Sequence, residues 1–424
     1  MFGFKAYTPE EAILFKPIFF GYLSLLLTST AFAQSGNAPD QAQLIQNLMS
    51  RIDQLERRVA ELEGARAQAT AAALAPAAAD AMQMGVQADV TDSRPSLHIA
   101  GFTDINFAAT DQPGVHSGFS EGQFILHLNS NLSPKVSFMG EVSFSARSDA
   151  GIGTPAATGF NAEVERSIIR FAQNDYFKVS FGRYHTPINY WNTAFHHGQW
   201  LQTSASRPEM TQFGGRFIPV HFVGSLVEGA VGAGGLNFNY NFGIGNGRSS
   251  VISRGGDAGD SNNSRAWLVN MFVRPDSLYG LQVGGSAYRD RISTGGREYN
   301  EWITSSHFVW SRETPEVIAE FANVRHESLT GSEPVSNSQA YYIQTAYRLP
   351  VAQKRLKPYS RFEYIHVPES DSVFQPIQNL AGSTAGLRYD ISSFAAIKFE
   401  YRNQRRGPGI PRINGGFLQT SFTF

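Results

Sequence analysis

The stretch LNFNYNFGIG, Leu236 to Gly245, decides the fold. Leu236, Phe238, Tyr240, Phe242 and Ile244 alternate with Asn237, Asn239, Asn241 and Gly243. A period of two belongs to a β-strand with two unlike faces. The pattern recurs with sharper contrast downstream, where Ile397, Phe399 and Tyr401 oppose Lys398, Glu400 and Arg402. Val136, Phe138, Val142 and Phe144 oppose Ser137, Glu141, Ser143, Ser145 and Arg147. Phe362 and Tyr364 oppose Arg361 and Glu363, and Tyr341, Ile343 and Tyr347 oppose Tyr342, Gln344 and Arg348. Each ribbon has one oily flank and one wet flank.

Sixteen such segments follow one another from residue 95 to the terminus: 97–109, 122–131, 135–147, 161–172, 176–184, 213–224, 235–245, 264–274, 280–289, 299–311, 315–326, 339–349, 357–367, 381–390, 394–403 and 416–424. The connections alternate in length. LSPK, AQND, GAVGAGG, RPDSLYG, SRETPE and YDISSF are short, whereas GRSSVISRGGDAGDSNNS and NQRRGPGIPRINGG are long. Short turns at one end and long loops at the other are the plan of a transmembrane barrel. Sixteen strands enclose a lumen too wide for side chains alone to fill. The apolar flank is therefore expected to face lipid and the charged flank a water-filled lumen, with closure removing the sheet edges. The fold class is all-β, a 16-stranded antiparallel transmembrane β-barrel over 95–424, preceded by a short α-helical coiled coil.

The first 94 residues read differently. Lys5 and Lys16 precede PIFFGYLSLLLTSTAFA, which ends on Ala31-Phe32-Ala33 and predicts a signal peptide over 1–33. Glu10 and Glu11 are atypical there and leave open a start near about residue 15. Within 34–64, Ile45, Ile52 and Val59 occupy a positions and Leu48, Leu55 and Leu62 occupy d positions of a heptad seam. Arg51 and Arg58 at g match Glu56 and Glu63 at e, which suits interchain pairing over a lone amphipathic helix. β-Branched residues at a with leucine at d favour dimers in simple peptides, so a trimer is not legible from the seam. Residues 65–94 are alanine-rich, interrupted by Pro76, and read as a linker.

Composition narrows the functional classes. Among 424 residues there is no cysteine, which removes thiol nucleophiles and thiolate metal sites. A net charge of −1 gives no reason to expect nucleic acid. Beyond the N-terminus no apolar run approaches the roughly 20 residues of a spanning helix. Neither G-x-S-x-G nor H-E-x-x-H occurs, so no catalytic residue, enzyme activity or cofactor is assigned.

The last strand, GFLQTSFTF, places Leu418, Phe422 and the terminal Phe424 on one face with Thr420, and resembles the C-terminal signal of bacterial outer-membrane proteins. The chain as a whole resembles bacterial trimeric porins, within them the group related to phosphate-selective porins O and P and the DcaP-like porins. The latter carry an N-terminal periplasmic coiled coil, as residues 44–63 resemble. FGRYHTPINYWNTAFHHGQWLQTSASRP, Phe181 to Pro208, resembles the strand and long third loop of the phosphate-selective group. The resemblance implies a homotrimer in outer-membrane lipid, a periplasmic N-terminal segment and passive diffusion of small hydrophilic solutes. Phosphate selectivity is not implied, because lysines are scarce throughout the barrel.

The third outward connection, His185 to about Phe213, holds Tyr190, Trp191, Phe195, Trp200 and the histidines His185, His196 and His197. Such aromatic content suits a loop folded into the pore; the alternative is an external loop at a trimer contact. Arg166, Arg170, Arg183, Arg361, Arg388, Lys398 and Arg402, with Glu141, Glu363 and Glu400, are the candidate lumen charges. Rings of such charge set ion selectivity, whereas pairing among them stiffens the wall. The arginine excess on late strands leads to an expected mild anion preference. No metal is assigned to His185, His196 and His197, because no carboxylate lies at ligand spacing and adjacent histidines point apart on most backbones. The leading functional expectation is a diffusion channel. The alternative is a structural anchor coupling the barrel to periplasmic or peptidoglycan partners.

Overall fold

The computed structural model describes residues 96–147, 159–213, 216–248, 252, 255–331, 333–375 and 377–424. The signal peptide, heptad seam and linker lie outside the described residues. The strands are β1 (Ser96–Thr110), β2 (Gly118–Asn131), β3 (Val136–Ala146), β4 (Phe160–Asn174), β5 (Phe177–His185), β6 (His221–Val231), β7 (Phe238–Asn246), β8 (Ala266–Val273), β9 (Leu281–Thr294), β10 (Arg297–Trp310), β11 (Glu316–Ser328), β12 (Ser336–Ala346), β13 (Leu356–His366), β14 (Leu380–Asp390), β15 (Ala395–Arg406) and β16 (Ile413–Thr423). Each pairs antiparallel with its sequence neighbours, and β1 closes the sheet onto β16 with Phe102 opposite Thr423 and Thr110 opposite Gly415. Beyond the last ladder pair, the Gly101 and Phe424 backbones exchange two hydrogen bonds of 2.9 and 3.1 Å. A Cβ at Gly101 would sit 2.4 Å from the Phe424 ring, so only glycine leaves room for the terminal aromatic.

The faces are inverted relative to a soluble barrel. On β15, Phe399 is 56% exposed while its neighbours Lys398 and Glu400 are fully buried. In the Leu236–Gly245 stretch, Phe242 and Ile244 point out, whereas Asn241 accepts a 3.0 Å hydrogen bond from Asn270 inside. Phe171, Phe181, Phe308, Phe321, Tyr341, Ile343 and Leu418 continue the outward apolar band around the barrel. A contiguous exposed belt of this kind needs an apolar neighbour.

Three departures from the sequence reading have physical causes. The first concerns the interior, which is not uniformly polar. Successive ladder partners Leu226, Gly243, Leu268, Tyr288, Ile303 and Val324 form one inward row across β6 to β11. Against this arc pack Ile188, Trp191, Met210, Phe217 and Ile218 of the third outer connection, L3 (186–220), giving an apolar core inside the barrel. The void that argued against an apolar interior is filled by the loop, not by the wall.

The second departure is β6, which runs over His221–Val231 and not 213–224. Phe213, Phe217, Ile218 and Val220 mimic a strand in sequence by their apolar content, but Phe217, Ile218 and Val220 are all buried, as loop residues under the barrel's own wall. The third is the fifth outer connection, which is a two-residue turn. Gly295 and Gly296 both have positive φ, +58° and +74°, the pairing that a tight hairpin turn requires.

Placing a guanidinium on the outward face tests the inversion. Phe399→Arg should destabilise the vesicle-inserted barrel by about 2–4 kcal/mol, read from denaturant unfolding in lipid.

Candidate functional site, a loop-crossed lumen

Every strand backbone in the closed sheet is already paired, so a loop inside the barrel must find side chains for its own N–H and C=O groups. L3 does so around most of the circumference. Its four-residue helix α1 (Trp191–Ala194) begins on β11, where Glu320 Oε1 accepts the Tyr190 and Trp191 amides at 2.8 and 2.6 Å. On β15, Glu400 accepts the Ala205 and Ser206 amides at 3.0 and 3.2 Å and the Ser206 hydroxyl at 2.6 Å. Glu363 on β13 accepts the Glu209 amide at 2.6 Å.

The cations take the opposite ends of the peptide dipoles. Arg388 donates to the Trp200 and Gln202 carbonyls at 2.8 and 2.9 Å. Arg361 donates to the Ser206 carbonyl at 2.8 Å, and Lys398 to the carbonyls of Gln199 and Ser204. A second outer loop, L4 (247–265), contributes Arg248, which donates to the Arg216 and Phe217 carbonyls of L3 at 3.0 and 2.7 Å. The third, L7 (367–379), inserts Asp371, which His326 of β11 meets at 2.9 Å and Ser338 of β12 at 2.6 Å.

Beneath the first half of L3 lies a second cluster. β4 carries a bulge: Glu141 of β3 pairs with Arg166, while the next residue, Val142, pairs with Val164. The extra residue is Glu165. The bulge turns both Glu165 and Arg166 inward, which strict alternation forbids. Arg166 bonds Glu141, and His127 of β2 meets the same carboxylate at 2.9 Å. Ser143 donates to Glu165 Oε1 at 2.7 Å. Four histidines surround these acids: His185 at the end of β5, His196 and His197 of L3, and His221 at the start of β6. His185 and His196 stack with ring centroids 3.7 Å apart. Burial, and then the charges of His185, His197 and Arg207, push the pKa of His196 well below the ordinary imidazole range. It is therefore a neutral ring at neutral pH.

All the sequence-derived candidates reach the interior, but in different company. Arg361, Arg388, Lys398, Glu363 and Glu400 are buried against L3. His185, His196, His197 and Glu141 belong to the histidine cluster, which Arg166 borders. Arg183 bridges Glu163 at 2.9 Å and Asp257 at 2.8 Å. Arg170, 38% exposed at its side chain, pairs with Glu228 at 3.1 Å. Arg402 bonds Glu400 and lies 3.7 Å from the Phe417 ring centroid. Sequence reading missed Glu165, His127, His221, Gln123 and Asn192. The Glu163-x-Glu165-Arg166 run on one strand was the available sign of a bulge.

No protein-family model and no curated protein matches the sequence. Solved structures do resemble the barrel. An anion-selective porin from Comamonas acidovorans aligns over 78% of this chain and 100% of its own, at TM-score 0.57 and 12% identity. OmpF of Salmonella typhi, in complex with daunomycin, aligns over 77% and 97% at 0.53 and 12%. The outer-membrane channel DcaP of Acinetobacter baumannii aligns over 79% and 99% at 0.53 and 10%. The chain has the fold of bacterial outer-membrane porins.

Glu400 should be the most costly single anchor to remove. Glu400→Ala leaves the Ser206 amide without its acceptor, the Ala205 amide with only the Tyr359 hydroxyl at 3.1 Å, and the Arg402 guanidinium without its acid. An expected loss of about 3–5 kcal/mol in unfolding free energy should accompany new cleavage within L3 by proteinase K.

Proposed function

We propose that the protein is an outer-membrane diffusion channel for small hydrophilic solutes. The observation that carries this reading is a closed barrel with an apolar outer band, crossed inside by a loop held on charged side chains. The fold it shares with outer-membrane porins supports the same reading. The heptad seam at Ile45, Leu48, Ile52, Leu55, Val59 and Leu62 would associate chains on the periplasmic side, and a homotrimer is the proposed assembly. Within the barrel, the first half of L3 and the Glu320, Arg361 and Glu400 anchors would set the constriction.

Its ion preference is proposed to be mild and towards anions. Arg166, Arg170, Arg183, Arg361, Arg388 and Arg402 each have an acid partner within 4.0 Å, so their fields are largely cancelled locally. Lys398 instead spends its donors on two carbonyls and Gln419 Oε1.

A second reading is a structural barrel that anchors periplasmic or peptidoglycan contacts. It draws on the apolar core that fills one side of the lumen. Planar-bilayer recording separates the two, because stepwise, steady conductance is expected of the channel and none of an occluded anchor. Deleting residues 34–94 should leave that conductance unchanged.

Reversal potentials in a salt gradient test the selectivity. An anion-side potential is expected near 0.1 M salt, where the screening length is about 10 Å, fading near 1 M, where it is about 3 Å. Neutralising Arg166 and Arg170 together should move it towards the cation side.

A further inference from the structure

The histidine cluster contains more lone pairs than it has hydrogens to meet them. Asn192 donates its amide to the Thr186 and Val220 carbonyls at 2.9 and 3.0 Å, which fixes its Oδ1 towards His196 Nδ1 at 2.8 Å. A carbonyl oxygen only accepts, so His196 carries its hydrogen on Nδ1 and presents a bare Nε2. His197 Nδ1 lies 3.1 Å from Gln123 Oε1. Both Nε2 atoms are buried without a hydrogen-bond partner. His221 plays a different part. Arg183 Nη2 lies 3.1 Å from its Nδ1, which must accept, so its Nε2 bears the hydrogen and faces Glu165 Oε2 at 2.8 Å.

Buried acceptors crowded without donors are costly unless a cation joins them. One donor atom each from Glu165, His185, His196 and His197 all fall within 4.8 Å of one another. Glu165 lies 3.3 Å from His197 Nε2 and 3.9 Å from His196 Nε2. Two ligands bound tetrahedrally at about 2.0–2.1 Å are roughly 3.3 Å apart. From this geometry we propose that Glu165, His185, His196 and His197 form a four-coordinate site for Zn2+ or a similar first-row divalent cation. Three imidazoles and a carboxylate, with no thiolate, suit that class and not Mg2+ or Ca2+.

The surroundings have the form of a supporting shell. Asn192 and Gln123 orient two ligand rings, and Ser143 and His221 hold the carboxylate. Arg166 and Arg183 border the site; Arg166 is bonded to Glu141, while Arg183 is bonded to Glu163 and Asp257 and also lies 3.5 Å from Glu165 Oε2. Arg207 opposes the cation and is turned to Phe213, whose ring centroid lies 3.8 Å from its guanidinium carbon. Because the ligands come from β4, β5 and L3, the ion would rivet the loop to a part of the wall five to six strands away from Glu400. The site does not depend on the barrel conducting.

The test uses the full chain, folded in detergent micelles, stripped with a chelator, desalted and titrated with Zn2+ and Co2+. One ion per chain is expected, with the intense visible absorption of four-coordinate Co2+ and no competition from Mg2+. His196→Gln and Glu165→Gln should each weaken binding about 100-fold, and Asn192→Ala about 10-fold, through loss of ring orientation. His116→Gln, on an exposed outer loop, should change nothing. Heat-modifiable gel migration reports folding of each variant. Should His196→Gln fail to fold, Glu165→Gln and Asn192→Ala decide. Absence of stoichiometric uptake, a six-coordinate Co2+ spectrum, or affinity unchanged in the folded ligand variants overturns the site.

Discussion

The backbone of L3 has to be satisfied inside a barrel whose strands have no hydrogen bonds to spare. That requirement organises the interior. Carboxylates on the wall, Glu320, Glu363 and Glu400, end on loop amides, and cations, Arg361, Arg388 and Lys398, end on loop carbonyls. Charge-assisted bonds of this kind are stronger than neutral ones, and in a poorly solvated interior an unmet partner is correspondingly expensive. The same side chains that would set selectivity in an open ring are here committed to holding a loop.

Apolar packing divides the lumen. On the β6 to β11 arc, Leu226, Leu268, Tyr288 and Ile303 meet Ile188, Trp191 and Ile218 of L3, and water is excluded. On the other side, Arg166, Arg170 and Arg402 keep partly exposed guanidiniums beside their acids. The histidine cluster stands between the two regimes, at the base of L3, where β3, β4, β5 and β6 meet.

Much of this was legible in the linear chain. Period-two alternation placed Phe399 and Tyr401 against Lys398 and Glu400, and the structure separates them on opposite faces. L3 was visible as a long aromatic connection, though it ends at 220 and not near Phe213, because its own buried apolar residues imitate a strand. The histidine cluster was not legible. Sequence spacing puts no carboxylate beside His185, His196 and His197, yet Glu165 reaches them from another strand. A β-bulge breaks strict alternation, and nothing in strand periodicity marks which residue is the extra one.

The sequence by itself determined the class of fold and the orientation of its faces, since both follow from a local period and from the solvent each flank demands. Only the tertiary structure decided which charges meet L3, that one arc of the lumen is an apolar core, and that an acid and three imidazoles from separate elements share one buried spot. Those outcomes depend on sheet register, on closure between β1 and β16 and on a single bulge. Each is a long-range contact whose partners lie tens to hundreds of residues apart, and no local pattern carries that information.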